Sequence, residues 1–170
     1  MTKKTYKLNM SLIPLLLIVA LGIGAYYFLG GEFNRSKIRR ISGFPTVTYT
    51  ERNVEKRRDV IKSEEELAEF LNYVDDSDFL TVREKINFDK EWLLGVSTST
   101  NSETGHDIRV RKVYEDKANS KLLISIREQL AGTTCLDVEV KPNVAVDLVA
   151  INHTDMSIEF ERIKEIKECE

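Results

Sequence analysis

The chain is poor in the residues from which most catalytic and metal centres are built. Its 170 residues include two histidines, two cysteines, three prolines and one tryptophan. It has no glycine-rich phosphate loop, no helical pair of metal-binding histidines and no nucleophile elbow, so the common motifs of nucleotide, zinc and hydrolase sites are missing. The sequence therefore predicts no cofactor and no metal, and it favours a protein that is not an enzyme.

Charge is absent from one long stretch of the chain. Residues 12–29 hold no charged side chain, and a helix of this length rises roughly 27 Å, close to the thickness of the hydrocarbon layer of a bilayer. Lys3, Lys4 and Lys7 precede the stretch. The pattern predicts a single transmembrane helix over residues 12–29, after a short N-terminal tail at residues 1–11.

Two alternatives bear on this apolar segment. A cleaved signal peptide needs a small-x-small cleavage site. Here Gly22, Gly24 and Ala25 are followed at once by bulky residues, so an uncleaved anchor is favoured. Basic residues on the two sides of the segment nearly balance, but a short tail is readily retained and a long domain is exported largely regardless of charge. This favours a cell-membrane protein with its domain outside the cytoplasm over a reversed helix.

The rest of the chain is acidic. Residues 41–170 hold 18 lysines and arginines against 27 aspartates and glutamates. Binding to nucleic acid requires a basic surface that neutralises phosphates, so this balance excludes nucleic acid as a partner. The basic, glycine-flanked residues 30–43 predict a linker, whose four bases at positions 35–40 either contact anionic lipid head groups or serve as a topology signal.

Apolar spacing after the linker predicts one helix followed by strands. Ser63 and Glu66 form a capping box ahead of apolar residues at helical spacing, which predicts a helix over residues 64–74. From Trp92 onward the apolar period changes to two, as in half-buried strands. The residues predicted to face the core are Trp92, Leu94 and Val96; Ile108, Val110 and Tyr114; Leu122, Ile124 and Ile126; Leu136, Val138 and Val140; Val144, Val146 and Leu148; and Met156, Ile158 and Phe160.

These elements predict a mainly β fold of the α+β class. Six strands with short polar connections are typical of an antiparallel β meander or sandwich, here with one N-terminal helix and a preceding transmembrane helix. The predicted domain covers residues 44–163, and residues 164–170 form a C-terminal tail.

The longest connection between predicted strands runs from Ser97 to His106 and is made largely of polar residues and glycine. Long loops on a rigid sheet frequently carry binding sites, so this loop is the predicted binding surface. The residues predicted to bind are Thr98, Ser99, Asn101, Glu103, Thr104, Gly105 and His106.

Two other functions compete with binding. His106 beside Asp107 resembles a base with its orienting carboxylate, so a small hydrolase that uses His106 with Cys135 or a loop serine is one alternative. A structural subunit of an envelope assembly is the other.

The two cysteines favour a disulfide. Cys135 alternates with Asp137 and Glu139 and so faces the polar side of its predicted strand, whereas Cys169 follows the last strand. An even cysteine count in an exported domain is typical of a bridge. Two unpaired thiols are the alternative.

Four short motifs follow one another between Trp92 and Ile151. They are the strand start Trp92-Leu93-Leu94-Gly95-Val96, the loop end Thr104-Gly105-His106-Asp107, the turn Ala131-Gly132-Thr133-Thr134-Cys135 and Pro142 before a strand. In this order they resemble the C-terminal domain of the PrcB family, first associated with a protein that stabilises a bacterial surface protease. The family has Thr-Gly-Gly-Tyr at the loop end and Pro-Gly-x-x-Cys at the turn, so this chain departs from it at His106, Asp107 and Ala131.

The resemblance implies an extracytoplasmic domain that binds another protein, with no known catalytic residues to carry over. The sequence thus predicts a single-pass membrane protein that displays a PrcB-like β domain. Its expected role is to bind a protein partner such as a protease and to stabilise or restrain it.

Overall fold

The structure is a computed structural model and describes residues 38–102, 105–132 and 141–168. This part of the chain is mainly β, as predicted, with one short helix. The elements in chain order are β1 (Arg39–Arg40), β2 (Val47–Tyr49), β3 (Arg58–Ile61), α1 (Glu64–Val74), β4 (Glu91–Ser97), β5 (Asp107–Asp116), β6 (Lys121–Ala131), β7 (Asn143–Asn152) and β8 (Ser157–Lys167).

The helix α1 begins and ends where the sequence predicts. The hydroxyl of Ser63 accepts a hydrogen bond from the N–H of Glu66 at 3.2 Å, and the carboxylate of Glu66 accepts one from the N–H of Lys62 at 2.6 Å. These two bonds satisfy N–H groups that have no partner inside the helix. The buried residues of the helix are Leu67, Phe70 and Val74.

The described strands form two sheets. The first has the order β1-β7-β4-β3, with β2 also pairing with β7, and the second has the order β5-β6-β8. Every pairing is antiparallel except that of β6 with β8, which is parallel. Strands that follow each other in the chain pair only in β3-β4 and β5-β6. The chain thus alternates between sheets, which is the pattern of a sandwich rather than of a meander.

Three layers bury two separate cores. One core lies between the two sheets and the other lies between the first sheet and α1. β7 contributes to both, because Val146 and Leu148 face the helix while Ala145 and Val149 face the second sheet. Prediction placed only one face of this strand in the core, whereas Asn143 to Ile151 is buried throughout. A strand covered on both faces is apolar without alternation.

The predicted inward face of β5 is wrong in one place. A bulge between Val110 and Lys112 inserts one residue, so the alternation along the strand shifts. Val113 is consequently buried in the core opposite Ile124, and Tyr114 is half-buried on the other face.

Three predicted features lie outside the described residues. They are the transmembrane helix at residues 12–29, the strand with Leu136, Val138 and Val140, and both cysteines of the expected disulfide, Cys135 and Cys169. Within residues 38–102, 105–132 and 141–168, no helix is both long and apolar enough to cross a membrane.

The strands extend past two predicted boundaries. β1 lies inside residues 30–43, which were expected to form a linker, and β8 continues to Lys167, inside the expected tail. Pairing explains both differences, because β1 bonds to β7 and the second half of β8 bonds to β6.

Candidate functional site

The sandwich has one closed side and one open side. On the closed side β5 lies against β7. On the open side β3 and β8 are the outermost described strands of their sheets, and the space between them is lined by residues of both. We call this space the open-side cleft.

Asp147 of β7 joins the two sheets on the closed side. It is 4% exposed, and its carboxylate accepts hydrogen bonds from the guanidinium of Arg40 at 2.9 and 3.0 Å and from the N–H of Val110 at 2.8 Å. Arg40 also donates to the carbonyl of Val110 at 2.9 Å. The backbone of β5 at its bulge is therefore paired by side chains from the first sheet, which avoids the cost of unpaired buried polar groups.

The open-side cleft has two parts, both lined by residues on or beside β3 and β8. The larger has a volume of about 470 Å³ and the smaller about 190 Å³. The lining comes from Lys56, Arg58, Val60 and Lys62 on and beside β3, Trp92 of β4, Ile126 of β6, and residues 153–158 and 160–162 on and before β8.

The alternation of β3 decides which side chains enter the cleft. Val60 packs against the core between the sheets, and its neighbour Ile61 packs against the helix. Residues two apart in a strand share a face, so Lys56, Arg58 and Lys62 lie on the face of Val60. The spacing of the sequence thus places three bases along the cleft.

Trp92, the single tryptophan of the chain, forms the centre of the larger part. The ammonium of Lys62 lies 4.2 Å from the centroid of its ring, and the ring of His153 meets it edge-on at 4.6 Å between centroids. A cation over an indole face is stabilised by roughly 0.5–1 kcal/mol at an exposed site. The N–H of Lys62 is bonded to Glu66, so the helix cap also positions this lysine.

Arg58 lies at the smaller part of the cleft and is mostly buried. Its guanidinium donates to the carbonyls of Arg57 at 2.5 Å and Ser97 at 2.6 Å. Burial lowers the pKa of the Arg58 guanidinium; Glu128, 3.8 Å away, opposes this, and Arg162 adds to it. Glu128 also pairs with Arg162 at 3.2 Å. Arg58 and Arg162 therefore share one carboxylate and leave positive charge at the cleft.

The cleft is basic although the domain is acidic. Around it stand the bases Lys56, Arg58, Lys62 and Arg162, against Asp155 and Glu161 in its lining and Glu128 behind it. Apolar surface lies between these charges, from Val60, Trp92, Met156, Ile158 and Phe160, which are partly buried against the core. A basic rim around apolar surface favours a ligand that carries both negative charge and apolar groups.

The first part of the predicted binding loop is hydrogen-bonded to β7. Thr98 is buried, its hydroxyl accepts from the N–H of Ala145 at 3.0 Å, and its own N–H donates to the carbonyl of Ala145 at 2.9 Å. Asn101 and Asn143 exchange two backbone hydrogen bonds of 2.8 Å. Thr98 and Asn101 therefore support the loop, and Ser99 between them is exposed.

The remaining predicted binding residues fall at the end of the loop. Gly105 is exposed with a φ of 87°, and His106 is half-buried directly before β5. Glu103 and Thr104 lie outside the described residues. The binding role of this loop stays a prediction.

The structure describes only some of the residues of the hydrolase alternative. Cys135 lies outside the described residues, and Ser97 is buried with its hydroxyl accepting from the N–H of Arg57 at 3.1 Å. Ser99 and Ser102 are exposed. In the part of the chain that the structure describes, no three His, Cys, Asp or Glu residues are placed to hold a metal ion.

Sequence reasoning did not identify the open-side cleft. Lys62, Trp92 and His153 are separated by about 30 and 60 positions, and only the pairing of β3 with β4 and the turn before β8 bring them together. A partial signal existed, because Lys56, Arg58 and Lys62 are separated by even numbers of positions, which is the spacing of residues on one face of an extended chain. The lone acid Asp147 inside an apolar strand was a similar signal for the closed side.

Comparison with known proteins gives no match: no protein-family model, no curated protein and no solved structure is similar enough to this chain to be identified with it. The resemblance to the PrcB family stays a prediction.

Proposed function

We propose that this chain is a single-pass membrane protein whose domain lies outside the cytoplasm and binds another protein. The observation that carries the proposal is the open-side cleft, in which Lys62, Trp92 and His153 form a cluster at the surface. Aromatic and basic side chains at the edge of a core are the groups that most often anchor protein interfaces.

The shape of the cleft supports a protein partner over a small molecule. Its lining follows two strand edges, with Lys56, Arg58, Val60 and Lys62 on one side and residues 153–158 and 160–162 on the other. Small-molecule sites are usually enclosed pockets that bury most of the ligand. A groove along strand edges instead suits a chain that lies across it. The partner class that the family resemblance implies is a protease, which the domain would stabilise or restrain.

The membrane part of the proposal can be tested by fusions at Glu170. Alkaline phosphatase fused there is expected to be active and a reporter that works only in the cytoplasm is expected to be silent, because the domain is exported. The opposite pattern would place the domain in the cytoplasm. The mass of the mature protein is the control, since loss of roughly 25–30 residues would show a cleaved signal peptide.

Partner binding can be tested by photo-crosslinking in the native membrane. A photoreactive residue is placed at Lys56 in the cleft, at Ser99 on the predicted loop, or at Ala68 on the exposed side of α1 as a control. We expect one defined protein product from position 56, none from position 68, and identification of the product by mass spectrometry. A product from position 99 alone would move the binding surface to the loop. No product from any position would contradict a binding module.

A further inference from the structure

We infer that the open-side cleft receives an extended, acidic segment of the partner, which lies along β8 as an additional strand. This inference rests on the proposed function and adds the chemistry and the conformation of the bound segment. It follows from three properties of the cleft: its charge, its apolar floor and the strand edge beside it.

Charge is the first argument. The bases Lys56 and Lys62 are exposed on either side of Arg58. The lining holds two carboxylates, Asp155 and Glu161, and Glu128 behind it is already paired with Arg162. The domain around the cleft carries an excess of acidic residues. A cationic groove selects an anionic ligand, and two domains that each carry a net negative charge repel each other, so a second copy of this chain is disfavoured.

The strand edge is the second argument. β8 pairs with β6 over 11 residues, from Ser157 to Lys167, and along the half of β8 that lines the cleft no described strand pairs with its other edge. The unpaired backbone groups of an edge strand are a template on which an extended peptide can add. Such a strand would lie beside the part of β8 that lines the cleft, which includes Ile158 and Phe160.

The alternating side chains of an added strand match the apolar floor and the basic rim of the cleft. Side chains of an extended segment point to opposite sides at successive positions. One set would face the apolar floor at Trp92 and Met156, and flanking acidic residues could reach Lys56 and Lys62 at the rim. Anionic lipid has the charge but no backbone to pair with β8, so a peptide fits more of the observations than a membrane surface does.

Trp92 provides a local reporter for the test, because the full chain has no other tryptophan. The full chain in detergent micelles is titrated with a soluble ten-residue peptide that alternates glutamate with valine or threonine. We expect saturable changes in the Trp92 emission and in the anisotropy of the labelled peptide. The same peptide with lysine in place of glutamate is expected not to bind.

Two further probes separate pairing from charge. A peptide of the same sequence with N-methyl groups on alternate residues cannot form a ladder on that edge, so one of the two methylation registers is expected to lose binding while the other retains it. Vesicles of phosphatidylglycerol, added in place of the peptide, test the lipid alternative. A Trp92 response to vesicles without a response to any peptide would overturn the inference in favour of a membrane surface.

Matched variants locate the bound peptide. Replacing Lys56 and Lys62 together by glutamine is expected to weaken binding by roughly three- to tenfold, as for the loss of two exposed ion pairs. The variant Lys85→Gln removes the same charge from an exposed position outside the cleft and is expected to bind as the parent does. Equal binding by the double variant and the parent, or equal binding of both methylated peptides, would overturn the inference. The proposed function would survive that result if position 56 still crosslinks a protein.

Discussion

The closed and open sides of the sandwich use charged residues in opposite ways. On the closed side Asp147 is buried and its carboxylate is bonded to Arg40 and to the backbone of Val110. On the open side Lys62 is exposed and lies over the face of Trp92. A charge bonded to backbone groups of another sheet holds the fold together. A charge over an aromatic ring at the water boundary remains accessible to a partner.

A second buried carboxylate is bonded to β2, beside the outer edge of β7. Asp75, which follows α1, accepts hydrogen bonds from the N–H of Leu80 at 2.6 Å, the hydroxyl of Ser77 at 2.6 Å and the hydroxyl of Thr48 at 3.0 Å. Thr48 lies on β2, which pairs with the outer edge of β7. Burial favours the neutral acid, but these hydrogen bonds outweigh burial and hold the pKa of Asp75 below its ordinary value. The outer edge of β7 thus carries two buried, hydrogen-bonded carboxylates.

The largest expected effect comes from removing the carboxylate that joins the sheets. Asp147→Ala is expected to lower the free energy of unfolding by about 2–3 kcal/mol, because it leaves the buried N–H of Val110 without an acceptor and removes both bonds to Arg40. Urea unfolding followed by Trp92 fluorescence measures this loss. Asp147→Asn keeps an acceptor and is expected to lose less. Parent-like stability of both variants would show that the closed side does not depend on this network.

The next effect concerns acid. Since the pKa of Asp75 is lowered in the folded protein, its contribution is complete above the unfolded pKa of about 3.9 and is lost as pH falls through the folded value. At pH 7 Asp75→Asn is expected to cost about 1 kcal/mol through weakened hydrogen bonds. The difference between variant and parent should shrink as the pH is lowered below about 4. Urea unfolding at several pH values tests this, and a difference that grows with acidification would contradict it.

The smallest expected effect on stability is on the open side. Lys62→Gln should change the free energy of unfolding by no more than about 1 kcal/mol, since its ring contact is exposed, yet it should weaken capture of the acidic peptide. Arg40→Gln is the matched change on the closed side, where the guanidinium bonds to Asp147 and to the carbonyl of Val110. It should cost about 1–3 kcal/mol and leave peptide binding unchanged. The reverse ranking of the two variants would remove the distinction between the sides.

The parts of the fold that were predicted correctly depend on short stretches of chain. The capping box of Ser63 and Glu66 gave the start of α1, and the period of two gave the inward residues of β4 and β6, including Leu94 and Ile124. The bulge in β5 was not predictable, because it is stabilised by bonds from Asp147 to a strand 37 positions away. The burial of both faces of β7 was not predicted for the same reason, since it depends on α1 and the second sheet, which pack against this strand from other parts of the chain.

The amino-acid sequence by itself determined the type and bounds of α1, the mainly β content, the acidic charge of the domain and the apolar segment at residues 12–29. These are set by composition and by neighbours a few positions apart. Only the tertiary structure decided that β8 runs parallel to β6, that Arg40 and Asp147 close one side, and that Lys62, Trp92 and His153 meet on the other. The reason is that strand pairing and sheet packing join residues tens to more than a hundred positions apart. The local spacing of apolar residues does not predict which of these distant residues meet.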